Sequence, residues 1–567
     1  MDISTLEHRI NIATGKAPAD LVIRNARSFN LVTGKVEGGD IAIAGDTIVA
    51  VGGPFEGTKT LDGHGRIAVP GFIDAHCHIE STLLTPDEYE RAVLTRGTTT
   101  VIADPHELAN VTGQVAIDWL LAVAKKMFMD IRVALPSCVP ATHMETSGAT
   151  LDAADLVPYR NRDGVAGLAE MMNFPGVIGA DPGVLAKIAA FYDHHIDGHA
   201  PMLCPPGLDA YIACGISTDH ECATAEEARS KLARGMNIII REGSAARDLD
   251  ALAEIIDITT AQFLAFCTDD RNPLDIAESG HIDHMIRTAI SRGADPLAVY
   301  RIASLSAARM FGLTDRGLIA PGQRADIVLI DDIGSCLVTQ VVAGGVAITP
   351  ETLAAARALP EAPGRNSIRL DPVTADTFRM SARTEPMPVI GVREGSLLTD
   401  RLEAVLPAKD DSLIADPAND RLKVAVLARH GKNRNIGRGI VSGFGLLKGA
   451  LASSVGHDSH NVIVVGANEA DMAAAVNRLI ETGGGFVVAE AGKVLAELAL
   501  PIAGLIGEET LETTCDKIGE LKRAARGLGS KLKEPFLQMA FLPLPVIPHL
   551  KITDMGLVDV DAFEVIE

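Results

Sequence analysis

Residues 71–78 of this 567-residue chain read Gly-Phe-Ile-Asp-Ala-His-Cys-His, and this stretch decides the fold. Its apolar start predicts a short buried strand that ends in two histidines, His76 and His78. Side chains two positions apart on a strand share a face, so both imidazoles lie on the same side. Imidazole nitrogens together with carboxylates suit Zn, Fe or Mn. We therefore predict that the pair binds a metal ion; the alternative is two histidines buried in a polar core.

Further candidate ligands and acids follow short apolar runs at six more places along the chain. They are His106 and Glu107, Glu170, His199, His220 and Glu221, Arg241 and Glu242, and Asp269 with Asp270. In an α/β barrel the carboxyl ends of the parallel strands meet at one face, which carries the active site. This many chemically similar strand ends indicate a shared site more readily than they indicate packing.

Strand-like and helical stretches alternate through the middle of the chain, which is typical of βα units and a parallel sheet. The strand-like runs are residues 67–74, 98–103, 130–135, 164–169, 194–198, 213–218, 237–241 and 263–268. Eight runs predict an α/β fold with a (β/α)8 TIM-like barrel of the metal-dependent hydrolase type over residues 70–309. Residues 1–69 and 310–350 predict one small composite β-sandwich. Residues 351–395 connect this part to an extra C-terminal α/β domain at residues 396–567.

Composition argues against several classes of function. The net charge of −23 disfavours nucleic-acid binding, which needs a basic surface, and one Trp with five Tyr disfavours a base-stacking platform. There is no apolar run of about 18 residues to predict a membrane span, and the first 20 residues lack the apolar core of a secretion signal. Eight cysteines without a Cys-x-x-Cys pair indicate reduced, buried thiols. We expect a cytoplasmic protein without nucleic-acid or membrane partners.

Two carboxylates have the most specific predicted roles. Glu170 ends a buried apolar run, where a carboxylate is costly unless it is paired or binds metal. Its two oxygens can bridge two cations, so we predict a bridging ligand, with a structural salt bridge as the alternative. Asp269 and Asp270 end the last run, and alternation lets only one of them face the barrel mouth. We favour Asp269, as the general base that takes a proton from water and returns it to a leaving group.

The other candidates fall into three groups. His199 and His220 are predicted metal ligands. Site and scaffold roles both stay open for Glu107 and Glu221, as catalytic acids, and for His106, Arg241 and Glu242, as substrate contacts or supports of the ligands. Structural roles are predicted for the pair His194 and His195 and for the pair His281 and His284.

These motifs carry a resemblance to a known family. Residues 69–78 and 321–328, with the order of the His, His and Asp residues, resemble the amidohydrolase superfamily. Within it, residues 104–107, 167–172 and 267–271 resemble the bacterial adenine deaminase family; they read Asp-Pro-His-Glu, Gly-Leu-Ala-Glu-Met-Met and Cys-Thr-Asp-Asp-Arg. The resemblance covers essentially the whole chain.

The resemblance implies a reaction and a cofactor. The reaction is hydrolysis of the adenine 6-amino group by a metal-activated hydroxide, which gives hypoxanthine and ammonia. The cofactor is a pair of divalent ions, with Mn or Fe favoured and Zn as an alternative. The implied ligands are His76, His78, Glu170, His199, His220 and Asp269. Many relatives bridge their metals with a carbamylated lysine, but residues 163–173 contain none, so Glu170 is the only candidate bridge there.

Several points stay open. Some deaminases of the superfamily place a glutamate shortly after the strand-five histidine, but Ala-Pro-Met follows His199 here, so Glu107 and Glu221 are both candidate proton donors. His457 and His460, in a segment similar to the extra domain of the family, could complete a wall of the site, line a subunit interface or close a turn. A homodimer is the expected assembly. The alternative functions are a guanine deaminase-like or dihydroorotase-like activity, or a non-catalytic, metal-stabilised scaffold.

Overall fold

The computed structural model describes residues 2–355 and 357–566. At its centre lie eight parallel strands in two hydrogen-bonded sheets of five and three strands. The strands are Phe72–Cys77, Thr98–Ala103, Asp130–Leu135, Val165–Met171, His195–Gly198, Thr218–Asp219, Asn237–Arg241 and Leu264–Cys267. The Asp269 amide donates to the His76 carbonyl at 3.0 Å, and the Ser217 amide donates to the Ile196 carbonyl at 3.1 Å. These two hydrogen bonds join the sheets at both edges, and the predicted barrel is confirmed.

Helices follow the strands and cover the outside of the barrel. Their bounds are Pro86–Leu94, His106–Thr112, Gln114–Ala124, Ala153–Leu156, Phe174–Ile178, Pro182–Ala190, Gly207–Ala213, Ala225–Leu232, Leu249–Leu252, Pro273–Glu278, Ile282–Ser291, Pro296–Tyr300 and Ala307–Met310. Ile282–Ser291 shows why they pack: Ile282, Met285, Ile286 and Ala289 recur at helical spacing and are all buried. A short 3-10 helix, Ile79–Thr82, follows the first strand.

The structure corrects two predicted strands. Residues 67–74 form two strands that break at Gly71: Ile67–Pro70 pairs with Ile327–Ile330, and Phe72–Cys77 enters the barrel. A Cβ atom on Gly71 would lie 2.1 Å from Thr99 Oγ1, so only glycine fits this crossing. The predicted run 213–218 was wrong in its bounds, because residues 207–213 are helical and the sixth strand is Thr218–Asp219.

The segments before and after the barrel together form a small unit of two β-sheets. One sheet holds Ala19–Arg24, Asp40–Ala44, Thr47–Gly53 and Gly57–Asp62; the other holds Arg27–Asn30, Lys35–Gly38, Ile67–Pro70, Ile327–Ile330, Val338–Ala343 and Val346–Ile348. Ile23, Ile41, Ile43 and Leu329 belong to one buried cluster built from both sheets. The helix Ile3–Ala13 packs on the first sheet.

After the helix Pro350–Ala354, the chain has little regular structure until a second α/β unit begins. Its eight-stranded sheet contains Met387–Val392, Thr399–Ala404, Leu422–Leu427, Ile436–Ser442, Ala450–Ser453, Val462–Gly466, Gly485–Glu490 and Lys493–Ala499. Its helices are Glu469–Thr482, Leu511–Gly527 and Pro535–Ala540. Smaller ladders are Ala408–Lys409 with Ser412–Leu413, and Leu550–Thr553, Gly556–Asp559 and Glu564–Val565.

Two simpler findings complete the fold. Within residues 2–355 and 357–566, no helix combines the length and apolar character needed to cross a bilayer. All eight cysteines have free thiols; the expectation that they are buried holds for five of them and is wrong for Cys204, which is exposed.

Candidate metal centre

Glu170 lies near the end of the fourth barrel strand, fully enclosed, and faces imidazoles on both sides. Its Oε1 lies 3.5 Å from His76 Nε2 and 3.4 Å from His78 Nε2. Its Oε2 lies 2.6 Å from His199 Nδ1 and 3.3 Å from His220 Nε2. One carboxylate therefore contacts two separate pairs of histidines, each with a different oxygen.

The two adjacent aspartates after the last strand point to different partners. Asp269 Oδ1 lies 3.1 Å from His78 Nε2, and its Oδ2 accepts from the Arg241 guanidinium at 3.0 Å. Asp270 accepts from the Ser81 hydroxyl at 2.5 Å. Asp269 also has a positive φ of 50°, so simple strand alternation no longer applies to this pair. Of the two, Asp269 is the one that joins the histidine cluster.

A second layer of acceptors orients the first histidine pair. His76 Nδ1 lies 2.9 Å from Asp197 Oδ2, and His78 Nδ1 lies 3.0 Å from the Asp104 carbonyl oxygen. A ring that donates through Nδ1 keeps the lone pair of Nε2 for a metal. Asp197 was missed in the sequence, although it lies two residues before His199 and could have been noticed by that spacing.

The residues present fit a divalent metal centre. His220 is buried, yet neither of its ring nitrogens makes a hydrogen bond within the part of the chain that the structure describes. Donor atoms of His76, Glu170 and His220 lie close enough together to hold one metal ion. Donor atoms of His76, His78 and Asp269 form a second such group. An unpaired imidazole in a cluster of imidazole and carboxylate donors is the chemistry that Zn, Fe and Mn prefer.

The electrostatics of the cluster follow from its composition. Burial raises the pKa of Glu170, but the hydrogen bond from His199 and the close contacts with His220, His76 and His78 outweigh it and hold that pKa well below its usual range. Burial lowers the pKa of His76, but its hydrogen bonds to Asp197 and Glu170 raise it to about 10. The carboxylates thus create a negative interior that draws positive charge, which a cation can supply.

Arg241 connects two of the acids at the end of the seventh strand. Its guanidinium pairs with both oxygens of Glu221, contacts Asp269 and donates through Nε to Asp248 at 3.0 Å. Burial raises the pKa of Glu221, but the charge of Arg241 outweighs it and lowers that pKa. The next residue, Glu242, does not reach the cluster: it points to the other face of the strand, where it accepts from the Leu249 amide at 3.4 Å.

His106 and Glu107 extend the cluster towards the C-terminal unit. His106 Nδ1 contacts Asp104 at 2.9 Å and lies 3.6 Å from Glu170 Oε1. Glu107 Oε1 accepts from the Ser81 hydroxyl at 3.0 Å and lies 3.2 Å from His457 Nδ1. Both side chains are buried at the mouth of the barrel.

The C-terminal unit closes a cavity over this cluster. Its contribution to the lining is Leu397, His457, Asp458, Phe541, Leu544 and Ile547, opposite His78, Glu170, Asp269 and Asp270. The His457 ring stacks on Phe541 with centroids 4.4 Å apart and planes 6° apart. Of the roles left open for His457, the structure supports the wall of the site. Leu397 and Phe541 were missed because they lie in segments without any periodic pattern.

The remaining histidines lie outside the cluster. His195 packs on Phe311 at 4.2 Å, and His194 contacts Asp193. His281 is buried at the start of its helix, where Nδ1 contacts Thr98 Oγ1 at 2.9 Å. His460 Nδ1 accepts from the Gly456 amide.

The barrel and the histidine–carboxylate cluster define a metal-dependent hydrolase, and residues 67–348 match the family model described as Amidohydrolase family. Residues 396–564 match the model described as Adenine deaminase C-terminal domain. The chain belongs to the adenine deaminase family.

Individual relatives extend this likeness over the whole length. The chain is 58% identical over 557 residues to a protein named adenine deaminase from Methylobacterium nodulans, which covers 98% of each chain. It is 55% identical over 557 residues to one of the same name from Gluconobacter oxydans, again with 98% of each chain. Among solved structures it is similar to N-acetyl-D-glucosamine-6-phosphate deacetylase from Mycobacterium smegmatis. That likeness has 18% identity and a TM-score of 0.44, and covers 58% of this chain and 100% of the other.

Proposed function

We propose that this protein catalyses the hydrolytic deamination of adenine, which gives hypoxanthine and ammonia. The observation that carries the proposal is the Glu170 carboxylate between two histidine pairs, with Asp269 beside it in the same enclosed cavity. The names of the full-length relatives supply the substrate. A bare scaffold has no need of an acid such as Asp269 that faces the cavity.

We assign two divalent cations to the cluster, Mn or Fe in preference to Zn. The residues that would hold them are His76, His78, Glu170, His199, His220 and Asp269, and the two oxygens of Glu170 contact different histidine pairs. Bound cations of this kind lower the pKa of a water molecule towards neutrality. The chain's part is to hold the donors, through Asp197 behind His76 and the Asp104 carbonyl behind His78.

Asp269 is placed to move the proton of the attacking water. Its carboxylate lies between His78 and Arg241 and lines the cavity. We propose that it accepts a proton as the water oxygen bonds to C6 of adenine, and that it returns a proton to the amine as the C6–N bond breaks. Arg241 holds Asp269 and Glu221 in fixed positions by pairing with both.

Of the two candidate acids, we assign the proton store to Glu107. Glu221 is paired with Arg241 and stays ionised. Burial, with the charge of Asp270, raises the pKa of Glu107 well above its usual range. The Ser81 hydroxyl lies within hydrogen-bond distance of both Glu107 and Asp270, and its one proton can be donated to only one of them at a time. We therefore assign the proton store to Glu107, whose Oε1 also lies 3.2 Å from His457 Nδ1.

The test is ammonia release by protein expressed with added Mn and with iron chelated, with metal counted in the same sample. Substrates are adenine, guanine and dihydroorotate. We expect ammonia from adenine alone and about two metals per chain. Turnover of another member of the panel would move the function to that substrate, and no turnover by fully metallated protein would refute the proposal.

We also propose that the enzyme works in the cytoplasm as a homodimer. The eight free thiols suit a reducing compartment. Light scattering after size exclusion tests the dimer, and a monomeric mass for the active protein would contradict it.

A further inference from the structure

His457 is a buried histidine from the C-terminal unit that lines the cavity together with Asp269. Two contacts fix its ring. The flat stack on Phe541 sets the plane, and Glu107 Oε1 lies 3.2 Å from Nδ1. The His457 amide also donates to the Ala540 carbonyl at 2.8 Å, which ties the histidine to the segment that carries Phe541.

The other ring nitrogen, Nε2, has no such partner in the described part of the chain, and His457 lines the cavity. Across residues 2–355 and 357–566, no polar group pairs with His457 Nε2, although the ring is held on its remaining sides. The neighbouring His460 differs, because it is fully buried, does not line the cavity and accepts a backbone hydrogen bond at Nδ1. An imidazole with a carboxyl beside one nitrogen and an open second nitrogen is a unit that can carry a proton.

We propose that His457 delivers the proton to the ring nitrogen of the substrate and that Glu107 resupplies it. The proposal rests on the proposed deamination. As the water oxygen bonds to C6, the ring nitrogen takes a proton from His457 Nε2, and Nδ1 takes one from Glu107. When the C6–N bond breaks, the amine leaves with the first water proton from Asp269. The second water proton, released as C6–OH becomes C=O, restores the His457–Glu107 pair.

The C-terminal unit therefore contributes a catalytic residue rather than only a cover. Its segment 456–461 is held from the far side by Arg429, which is fully buried and donates to the His460 carbonyl, to Ser367 at 2.7 Å and to the Ala503 carbonyl at 2.8 Å. His430 Nε2 contacts the Ser459 carbonyl of the same segment at 2.7 Å. These contacts position the segment without reaching the cavity.

The decisive experiment is chemical rescue of His457→Ala. We expect kcat for adenine to fall about 100-fold with the metal content unchanged, because general acid catalysis is worth about 10²–10⁴. Added imidazole should raise the kcat of His457→Ala at least about 10-fold. His457→Gln, which keeps the volume, should lower kcat with little change in KM. Glu107→Gln should cost about as much, and the double variant little more than either single one.

The control is His430→Ala, which removes another buried imidazole that contacts the same segment; imidazole should not accelerate it. A His457→Ala protein that keeps half of the wild-type kcat would overturn the proposal. A second outcome would also overturn it. If His457→Ala and His457→Gln are both folded, fully metallated and inactive, and added imidazole does not restore activity to His457→Ala, the proposal is wrong. If the wild-type protein with two metals releases no ammonia from adenine, the proposed function fails, and this proposal fails with it.

Discussion

The buried histidines of the barrel and His457 of the C-terminal unit lie around the same cavity, and they differ in what surrounds them. In the barrel, His76 and His78 are held at Nδ1 by acceptors, and their Nε2 atoms turn to Glu170. In the C-terminal unit, the His457 ring stacks on Phe541, and its Nδ1 lies 3.2 Å from Glu107 Oε1 and 3.7 Å from Asp458 Oδ1. The comparison teaches that the partners of an imidazole, not its presence in a site, indicate whether it binds metal or moves protons.

We expect the largest loss of metal and activity from a change at Glu170, the carboxylate that contacts both histidine pairs. Glu170→Gln should remove the charge shared by the two histidine pairs, so bound metal should fall below one per chain and kcat by at least about 10³-fold. Metal analysis of the purified variant measures this directly. Glu90→Gln is the matched control, because Glu90 is buried but accepts from the Phe128 and Met129 amides and pairs with Arg357, and none of these residues belongs to the cluster. Two full equivalents of metal in Glu170→Gln would refute the bridge.

Asp269→Asn separates proton transfer from metal binding. The amide keeps the size of the side chain and an oxygen that can still ligate a cation, but it accepts no proton, so kcat should fall about 10³-fold while the metal content stays near two per chain. Steady-state rates and metal counts on one preparation check both parts. Normal turnover of the variant would exclude Asp269 as the base.

Phe541→Leu tests whether the stack orients His457. Aromatic pairs contribute about 0.5–1.5 kcal/mol beyond their buried area, so kcat should fall by up to about 10-fold. Phe536→Leu is the control, because Phe536 forms a tilted pair with Phe486 in the same unit, 4.9 Å apart, and should change kcat less than 2-fold. Equal losses in both variants would mean that the C-terminal unit acts only through its packing.

The smallest effect concerns Lys551, whose Nζ donates to the carbonyls of Leu397 at 2.9 Å and Phe541 at 3.1 Å. Burial lowers its pKa from 10.5 to about 7. Between these values the unfolded chain holds a proton that the folded chain has released, so stability rises with pH there, by at most about 1.4 kcal/mol per unit.

Thermal unfolding of wild type and Lys551→Met at pH 7 and pH 9.5 measures this contribution. The difference in Tm, wild type minus variant, should increase with pH. A constant or shrinking difference would show that Lys551 stays charged when buried. Lys423→Met supplies a comparison, because Lys423 is equally buried but pairs with Glu469.

The sequence predicted the barrel half of the molecule better than the cavity wall. An apolar run such as residues 237–241 predicts a barrel strand, and the last residue of such a strand, here Arg241, lies at the face that carries the active site. The preference for Asp269 could be stated, but its positive φ, which separates it from Asp270, has no sequence pattern. Phe541 and Leu397 reach the cavity only through tertiary packing of segments without periodicity. The break at Gly71 depends on Thr99, a contact that no local pattern encodes.

The cavity's lining also sets an order of events during synthesis. The proposed metal ligands all lie between residues 76 and 269, so they leave the ribosome long before Phe541 and Ile547 have been made. A chain that stops short of residue 547 would therefore keep every proposed metal ligand but lack part of the C-terminal wall of the cavity.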